Sequence, residues 1–145
     1  MGTIKHDVHG FEMDRQGKDT WRHKQAGASA TIISSPRQIG MIKDVDHDHD
    51  PLELVKLMPE MDMVLLEGYK SADIAKIEVF RSGISEKLFC EQDPNLIAVV
   101  SDSSHDTHAA CFGHDDIVQI ADFLMQKMNL DGSLKRHKAP EACRA

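Results

Sequence analysis

The segment Asp62-Met-Val-Leu-Leu-Glu-Gly68 contains the run of apolar residues that decides the fold class. With Met61 it predicts a strand over residues 61–66, and its nearly continuous apolar character predicts burial on both faces, as in a central strand of a parallel sheet. Glu67 and Gly68 follow at the carboxyl end of this strand. Because open parallel sheets bind ligands beyond the carboxyl ends of their strands, these two residues are candidate site residues.

Further apolar runs alternate with helical patterns on both sides of this segment, an order typical of βαβ units and a mainly parallel sheet. The fold class is therefore α/β. Asp50 and Asp115 are predicted N-caps, and Gly27 is predicted to end the first helix. Residues 117–128 carry an apolar stripe that predicts packing against the core. The predicted strands cover residues 2–5, 30–33, 38–42, 74–80 and 96–100, and the predicted helices cover residues 18–26, 51–58 and 116–128.

The length and composition predict one folded domain over residues 1–130 and a polar tail over residues 131–145. A formal net charge of −7 argues against a nucleic-acid partner, because such binding depends on clustered cations. No apolar run approaches the roughly 20 residues of a membrane span. The first residues lack the apolar region of a secretory signal, which predicts a cytoplasmic location. The three cysteines form no CxxC pair and are interpreted as reduced thiols.

The strand that ends at Glu67 has the form of a Walker B strand, in which a carboxylate at the strand tip helps to hold Mg²⁺. Glu67 is preferred to Asp62, which lies at the opposite end of the strand. The alternative is that Glu67 is a solvated loop acid. A Walker B strand works with a phosphate-binding loop of the form GxxxxGK[ST], and the 145 residues contain no such loop. Gly17-Lys18 resembles its end, but Glu12 and Asp19 stand where glycine and a hydroxyl residue are required.

Other predicted strand tips also carry polar groups: His6 and Asp7 follow the first strand, and Ser101 and Asp102 follow a late one. Histidine pairs suggest a metal site as an alternative, and His6 and His9 have the most weight because they follow a strand tip. The alternating acids and imidazoles of residues 44–50 are interpreted as a solvated loop.

Several ordered motifs resemble one family. Leu65-Leu-Glu-Gly-Tyr-Lys70 resembles the Walker B region of the molybdopterin-guanine dinucleotide biosynthesis protein B (MobB) family, and the resemblance extends over residues 2–128. The other matching segments are Thr3-Ile-Lys-His-Asp7, Phe11-Glu-Met-Asp14, Gly17-Lys-Asp-Thr-Trp-Arg22, Ala26-Gly-Ala28, Ile74-Ala-Lys-Ile-Glu-Val-Phe-Arg81 and Ile97-Ala-Val-Val-Ser-Asp102.

The resemblance implies a three-layer fold like that of P-loop NTPases, with helices on both faces of a mainly parallel sheet. It also implies a GTP-binding accessory protein, at most a weak GTPase, that works with the guanylyltransferase MobA when GMP is attached to molybdopterin. Glu67 would be the catalytic residue, and Glu67 and Asp7 would hold Mg²⁺. The residues implied in GTP binding are His6, Asp7, Asp14, Lys18, Asp19, Arg22, Gly68, Lys70 and Asp102.

The chain departs from the family pattern because the first strand, the phosphate-binding loop and the helix after it are expected to be absent. Uncovered strand edges tend to pair with another chain, so we expect a homo-oligomer. Two further functions remain open. One is a scaffold that binds MobA without binding a nucleotide, and the other is a metal-dependent hydrolase that uses His6, His9 and Glu67.

Overall fold

The computed structural model describes residues 1–130, and the predicted tail at residues 131–145 lies outside this described part. Two compact units divide the chain, one formed by Gly2–Tyr69 and one that begins at Lys70. None of the helices in the described part is long and apolar enough to cross a membrane.

The first unit combines a parallel strand pair with an antiparallel hairpin. β1 (Gly2–Lys5) pairs in parallel with β4 (Val64–Glu67), with Gly2 opposite Val64 and Lys5 opposite Glu67. β2 (Ala30–Ser34) and β3 (Ile39–Lys43) form the hairpin, and α1 (Asp19–Gln25) packs against β2. Apart from their exact ends, these elements match the predicted ones. The elements are β1 (Gly2–Lys5), α1 (Asp19–Gln25), β2 (Ala30–Ser34), β3 (Ile39–Lys43), α2 (Pro51–Val55) and β4 (Val64–Glu67).

The second unit is a three-stranded parallel sheet with a C-terminal helix. β6 (Leu96–Val100) lies between β5 (Lys76–Val79) and β7 (Ala110–Phe112) and pairs in parallel with both. Its side chains form the centre of the core, where Leu96, Ala98 and Val99 are at most 1% exposed. The elements are β5 (Lys76–Val79), β6 (Leu96–Val100), β7 (Ala110–Phe112) and α3 (Ile117–Lys127). The α/β class and the mainly parallel pairing are therefore confirmed.

The strand that is buried on both faces is β6, so the prediction for residues 61–66 was wrong in this respect. β4 begins only at Val64, and its Leu65 is 39% exposed. The reason is the position of each strand. The side chains of β6 pack with Phe80 and Leu88 in one buried cluster, and β6 has a paired strand on each side, whereas the residues of β4 are alternately half-buried and exposed.

The helix ends also differ from the prediction. α2 ends at Val55 because the amides of Leu57 and Met58 bond to carbonyls three residues earlier, which tightens the chain into turns. The N-cap position of α3 is Asp116 and not Asp115. Ile117, in the predicted core stripe of α3, is 67% exposed. The three-residue strand β7 was not predicted, because so short a run carries no usable alternation.

Candidate functional site

The carboxyl ends of β1 and β4 form the candidate site of the first unit. The parallel register brings Lys5 opposite Glu67, and Lys5 Nζ lies 3.1 Å from Glu67 Oε1. The backbone amide of His6 donates to the carbonyl oxygen of Glu67 at 2.9 Å. Residues that are 61 and 62 positions apart in sequence are thus neighbours, because parallel strands end at the same edge of their sheet.

A side chain at Gly68, directly after β4, would require His6 to shift. The φ of Gly68, +93°, lies in the left-handed region, and a Cβ at this position would lie 3.0 Å from Cβ of His6 and 3.3 Å from its carbonyl oxygen. Tyr69 is also left-handed, with φ of 49°. A non-glycine residue in this region carries strain, and such strain is concentrated at ligand-binding positions.

His6 is held by groups that are distant in sequence. Its ring stacks on Tyr69 with 4.3 Å between ring centroids, and its Nε2 lies 3.0 Å from a carboxylate oxygen of Asp48. Burial raises the pKa of Tyr69, and the nearby charges of Asp48 and Asp50 raise it further. The sequence indicated His6 but neither Tyr69 nor Asp48. Tyr69 had a usable signal, its position after Gly68, whereas Asp48 had none.

The loop after β1 contains the other two predicted acids. Asp7 Oδ1 accepts a hydrogen bond from the amide of His9 at 2.9 Å, a local turn. Asp14 Oδ1 accepts from the hydroxyl of Thr20 at 3.0 Å and from the amide of Arg15 at 2.8 Å. Asp14 Oδ2 is buried without a hydrogen-bond donor in the described part of the chain. A buried oxygen that accepts no hydrogen bond destabilises the fold unless a water or a ligand donates one to it.

Asp14 also lines a cleft of about 180 Å³. Lys24 reaches this cleft and pairs with Asp44, which lies at the end of the hairpin. The lining residues are Phe11, Glu12, Met13, Asp14, Trp21, Lys24, Gln25 and Ile42. The cleft therefore combines the carboxylate of Asp14 with aromatic and aliphatic side chains.

Lys18, Asp19 and Arg22 lie at the start of α1 and are exposed. Lys18 occupies the N-cap position, and its side chain makes no capping hydrogen bond. Asp19 lies in the first turn, where a negative charge is favourable for the helix itself. Their roles toward a nucleotide stay predictions.

Asp102 and Lys70 lie in the second unit and have partners there. The carboxylate of Asp102 accepts hydrogen bonds from the amide and the hydroxyl of Ser82, both at 2.9 Å. These two bonds hold the pKa of Asp102 below its ordinary value. The ammonium of Lys70 lies 5.2 Å from the ring centroid of Phe89. A role for either residue in nucleotide binding stays a prediction.

The chemistry of the donors in the first unit is compatible with Mg²⁺, which prefers oxygen ligands. Glu67 is exposed and keeps one oxygen beyond its contact with Lys5, and Asp7 is exposed and keeps one oxygen beyond its hydrogen bond from His9. The metal site of the hydrolase alternative is not supported by the geometry of the described residues. Within residues 1–130, the group of histidine and acidic side chains that could hold a metal ion is His47, His49 and Glu53, and not His6, His9 and Glu67.

Parallel strands whose carboxyl ends meet at one edge are typical of an α/β protein. The solved structures that this chain resembles give the P-loop-NTPase-like class. The chain resembles the crystal structure of Bacillus subtilis MobB with a TM-score of 0.64, 27% identity, and coverage of 86% of this chain and 78% of that one. It also resembles a crystal structure of molybdopterin-guanine biosynthesis protein B with a TM-score of 0.62, 22% identity, and coverage of 88% and 78%.

Sequence comparison gives the family. Residues 1–102 match the profile of MobB, described as molybdopterin guanine dinucleotide synthesis protein B. The molybdopterin-guanine dinucleotide biosynthesis adapter protein of Escherichia coli (strain K12) is 35% identical, with 88% of this chain and 78% of the relative covered. The protein of the same name from Haemophilus influenzae is 30% identical, with 86% and 70% covered. The chain belongs to the MobB family.

Proposed function

We propose that this chain is an adapter protein in molybdenum cofactor biosynthesis that binds GTP with Mg²⁺ and assists a MobA-like guanylyltransferase when GMP is attached to molybdopterin. The observation that carries the proposal is the 35% identity to a molybdopterin-guanine dinucleotide biosynthesis adapter protein over most of both chains. The β1–β4 edge lies within the matched residues 1–102 and supplies the candidate site.

The β1–β4 edge supports nucleotide binding through three features. Gly68 lies so close to His6 that a Cβ would meet Cβ of His6 at 3.0 Å, and glycine is the residue that lets backbone approach a ligand closely. Glu67 presents a carboxylate for Mg²⁺, directly or through water, and Lys5 beside it offers a positive charge that a phosphate can attract. If Mg²⁺ is bound, it neutralises phosphate charge, and Glu67 keeps it in position.

Titration calorimetry of GTP with Mg²⁺ into the 145-residue chain tests the proposal. We expect Glu67→Gln to weaken binding by about tenfold, which corresponds to 1.4 kcal/mol. Asp62→Asn is the matched control, because Asp62 is an exposed acid that precedes β4. Equal affinities of wild type and Glu67→Gln would contradict the role of Glu67.

The alternative function is a scaffold that binds the guanylyltransferase without a nucleotide. It is favoured by one observation, the lack of a GxxxxGK[ST] sequence within the 145 residues. A binding measurement with purified MobA-like guanylyltransferase separates the two functions. Binding of the partner without any detectable binding of GTP would support the scaffold and exclude the nucleotide-binding function for this chain.

We also propose that the chain forms a homo-oligomer through the β2–β3 hairpin. Its apolar side chains are largely exposed, and exposed apolar strands tend to pair with another copy. The most exposed are Ile32 at 63%, Ile33 at 62% and Ile39 at 76%.

A further inference from the structure

The loop between β3 and α2 is rich in aspartate and histidine, and three of its four carboxylates have partners outside the loop. Asp44 pairs with Lys24, and Asp48 contacts the ring of His6. Asp50 accepts a hydrogen bond from the amide of Leu52 at 2.8 Å and so caps α2. These acids therefore serve to hold the loop in place. The interpretation of this segment as a solvated loop does not account for the groups that remain.

The side chains of His47 and His49 in this loop converge with that of Glu53 in α2. One ligand atom from each lies within 4.8 Å of the other two. The two imidazole rings are 4.3 Å apart between centroids, and Nδ1 of His49 lies 3.1 Å from Oε2 of Glu53. His47 and His49 lie on the loop and Glu53 follows in the first turn of α2, so the path of the anchored loop brings the three side chains together. Two imidazoles and a carboxylate are a common ligand set for zinc.

Asp46 supports His47 in a way that favours metal binding. Nδ1 of His47 lies 2.6 Å from Oδ1 of Asp46. When Nδ1–H donates to this carboxylate, Nε2 carries the lone pair that can bind a cation, and the carboxylate increases its basicity. This carboxylate–histidine arrangement is the usual support of a histidine ligand.

The distances require only a small contraction of the cluster. Ligand atoms around a tetrahedral Zn²⁺ with bonds of about 2.1 Å lie roughly 3.4 Å apart. The side chains can rotate to reach this spacing, because those of His47 and Glu53 are 60% and 55% exposed. An ion placed between His49 and Glu53 replaces their direct contact.

We propose that His47, His49 and Glu53 form a binding site for a divalent transition-metal cation of the zinc class. The site is separate in role from the proposed nucleotide function, because none of its three ligands belongs to the residues implied in GTP binding. Imidazole ligands select zinc-class ions over Mg²⁺ and Ca²⁺, which prefer sets of oxygen ligands. Three protein ligands leave at least one coordination position for water or for a ligand of a partner.

Titration calorimetry of Zn²⁺ into the untagged 145-residue chain tests this proposal. We expect one equivalent to bind, and His49→Gln and Glu53→Gln each to weaken binding about tenfold or more. The control is the double variant His23→Gln with His108→Gln, which removes two exposed imidazoles outside the cluster and should bind like wild type. Unchanged far-UV circular dichroism in all variants shows that they fold.

Co²⁺ provides a second measurement, because its visible absorption is strong in a tetrahedral site with imidazole ligands and weak in water. We expect the absorption with wild type and its loss with His49→Gln. Two results would overturn the proposal. One is equal Zn²⁺ affinity of wild type and His49→Gln, and the other is an equally large loss of affinity in the His23→Gln, His108→Gln control.

Discussion

At the scale of single residues, the functional candidates differ in how their charges are held. Glu67 faces Lys5 at the surface, where an exposed ion pair contributes little to stability. Asp102 instead receives two hydrogen bonds from Ser82, a residue 20 positions earlier. An acid that is held in this way ties the segment after β6 to the segment after β5. The contribution of Asp102 can therefore be measured from the way in which the stability of the fold falls at low pH.

We expect Asp102→Asn to reduce the pH dependence of stability on the acid side. The pKa of Asp102 is lower in the folded chain than its ordinary value of 3.8, chiefly through the amide of Ser82. Its stabilising contribution is therefore complete above about pH 4 and is lost as the pH falls through the lowered pKa. Thermal unfolding between about pH 3 and pH 6 measures this effect.

Asp106→Asn is the control for this experiment, because Asp106 is an exposed acid of the same unit. It should keep the wild-type slope of Tm against pH. A constant difference in Tm between wild type and Asp102→Asn across the whole pH range would contradict the prediction.

At the scale of elements, glycine ends α1 and sets the path into the hairpin. Gly27 has a φ of +100°, and its amide donates to the carbonyl of Lys24 at 3.0 Å. A Cβ at this position would meet nothing within 4 Å. The cost of a side chain here is therefore conformational and not steric.

We expect Gly27→Ala to lower the free energy of unfolding by about 1–2 kcal/mol, because alanine is strained in the left-handed conformation. Gly27→Asn should cost less, since asparagine tolerates this conformation. Urea unfolding measures both values through the fluorescence of Trp21, the one tryptophan of the chain, which lies in α1. Equal stability of wild type and Gly27→Ala would show that the helix end relaxes.

At the scale of the whole molecule, the β2–β3 hairpin exposes several large apolar side chains, among them Ile32 and Ile33. Its residues lie on an antiparallel pair whose register places Ile33 opposite Gly40 and Ser34 opposite Ile39. The side chain of Ile39 is 76% exposed. A second copy that covers this surface removes it from water, at roughly 25 cal/mol for each Å² of apolar area.

We expect wild type to sediment as an oligomer at micromolar concentration and Ile39→Lys to sediment as a monomer, because a charge at the interface is costly to bury. Val118→Lys is the matched control, since Val118 is 68% exposed on α3 in the second unit and lies outside the hairpin. A wild-type chain that sediments as a monomer would exclude the oligomer, and a monomeric Val118→Lys would place the interface elsewhere.

The sequence alone determined the fold class, most strands and the turns at glycine and proline. These features depend on local backbone preference and on apolar periodicity, which can be recognised within a few residues of sequence. It also indicated the strand tips, and so placed His6, Glu67 and Gly68 at one edge before any contact was known. The ordered motifs led to the same family as the sequence comparison.

Only the tertiary structure decided which strand is buried on both faces and which polar groups meet. β6 is enclosed because apolar side chains from other segments pack with it in the core, in addition to its pairing with β5 and the short β7. His6 and Asp48 lie 42 positions apart, and no local pattern links them. The convergence of His47 and His49 on Glu53 likewise depends on the anchored path of the loop. Such contacts follow from the free energy of the whole fold, because each residue has many possible partners in sequence and only packing selects one.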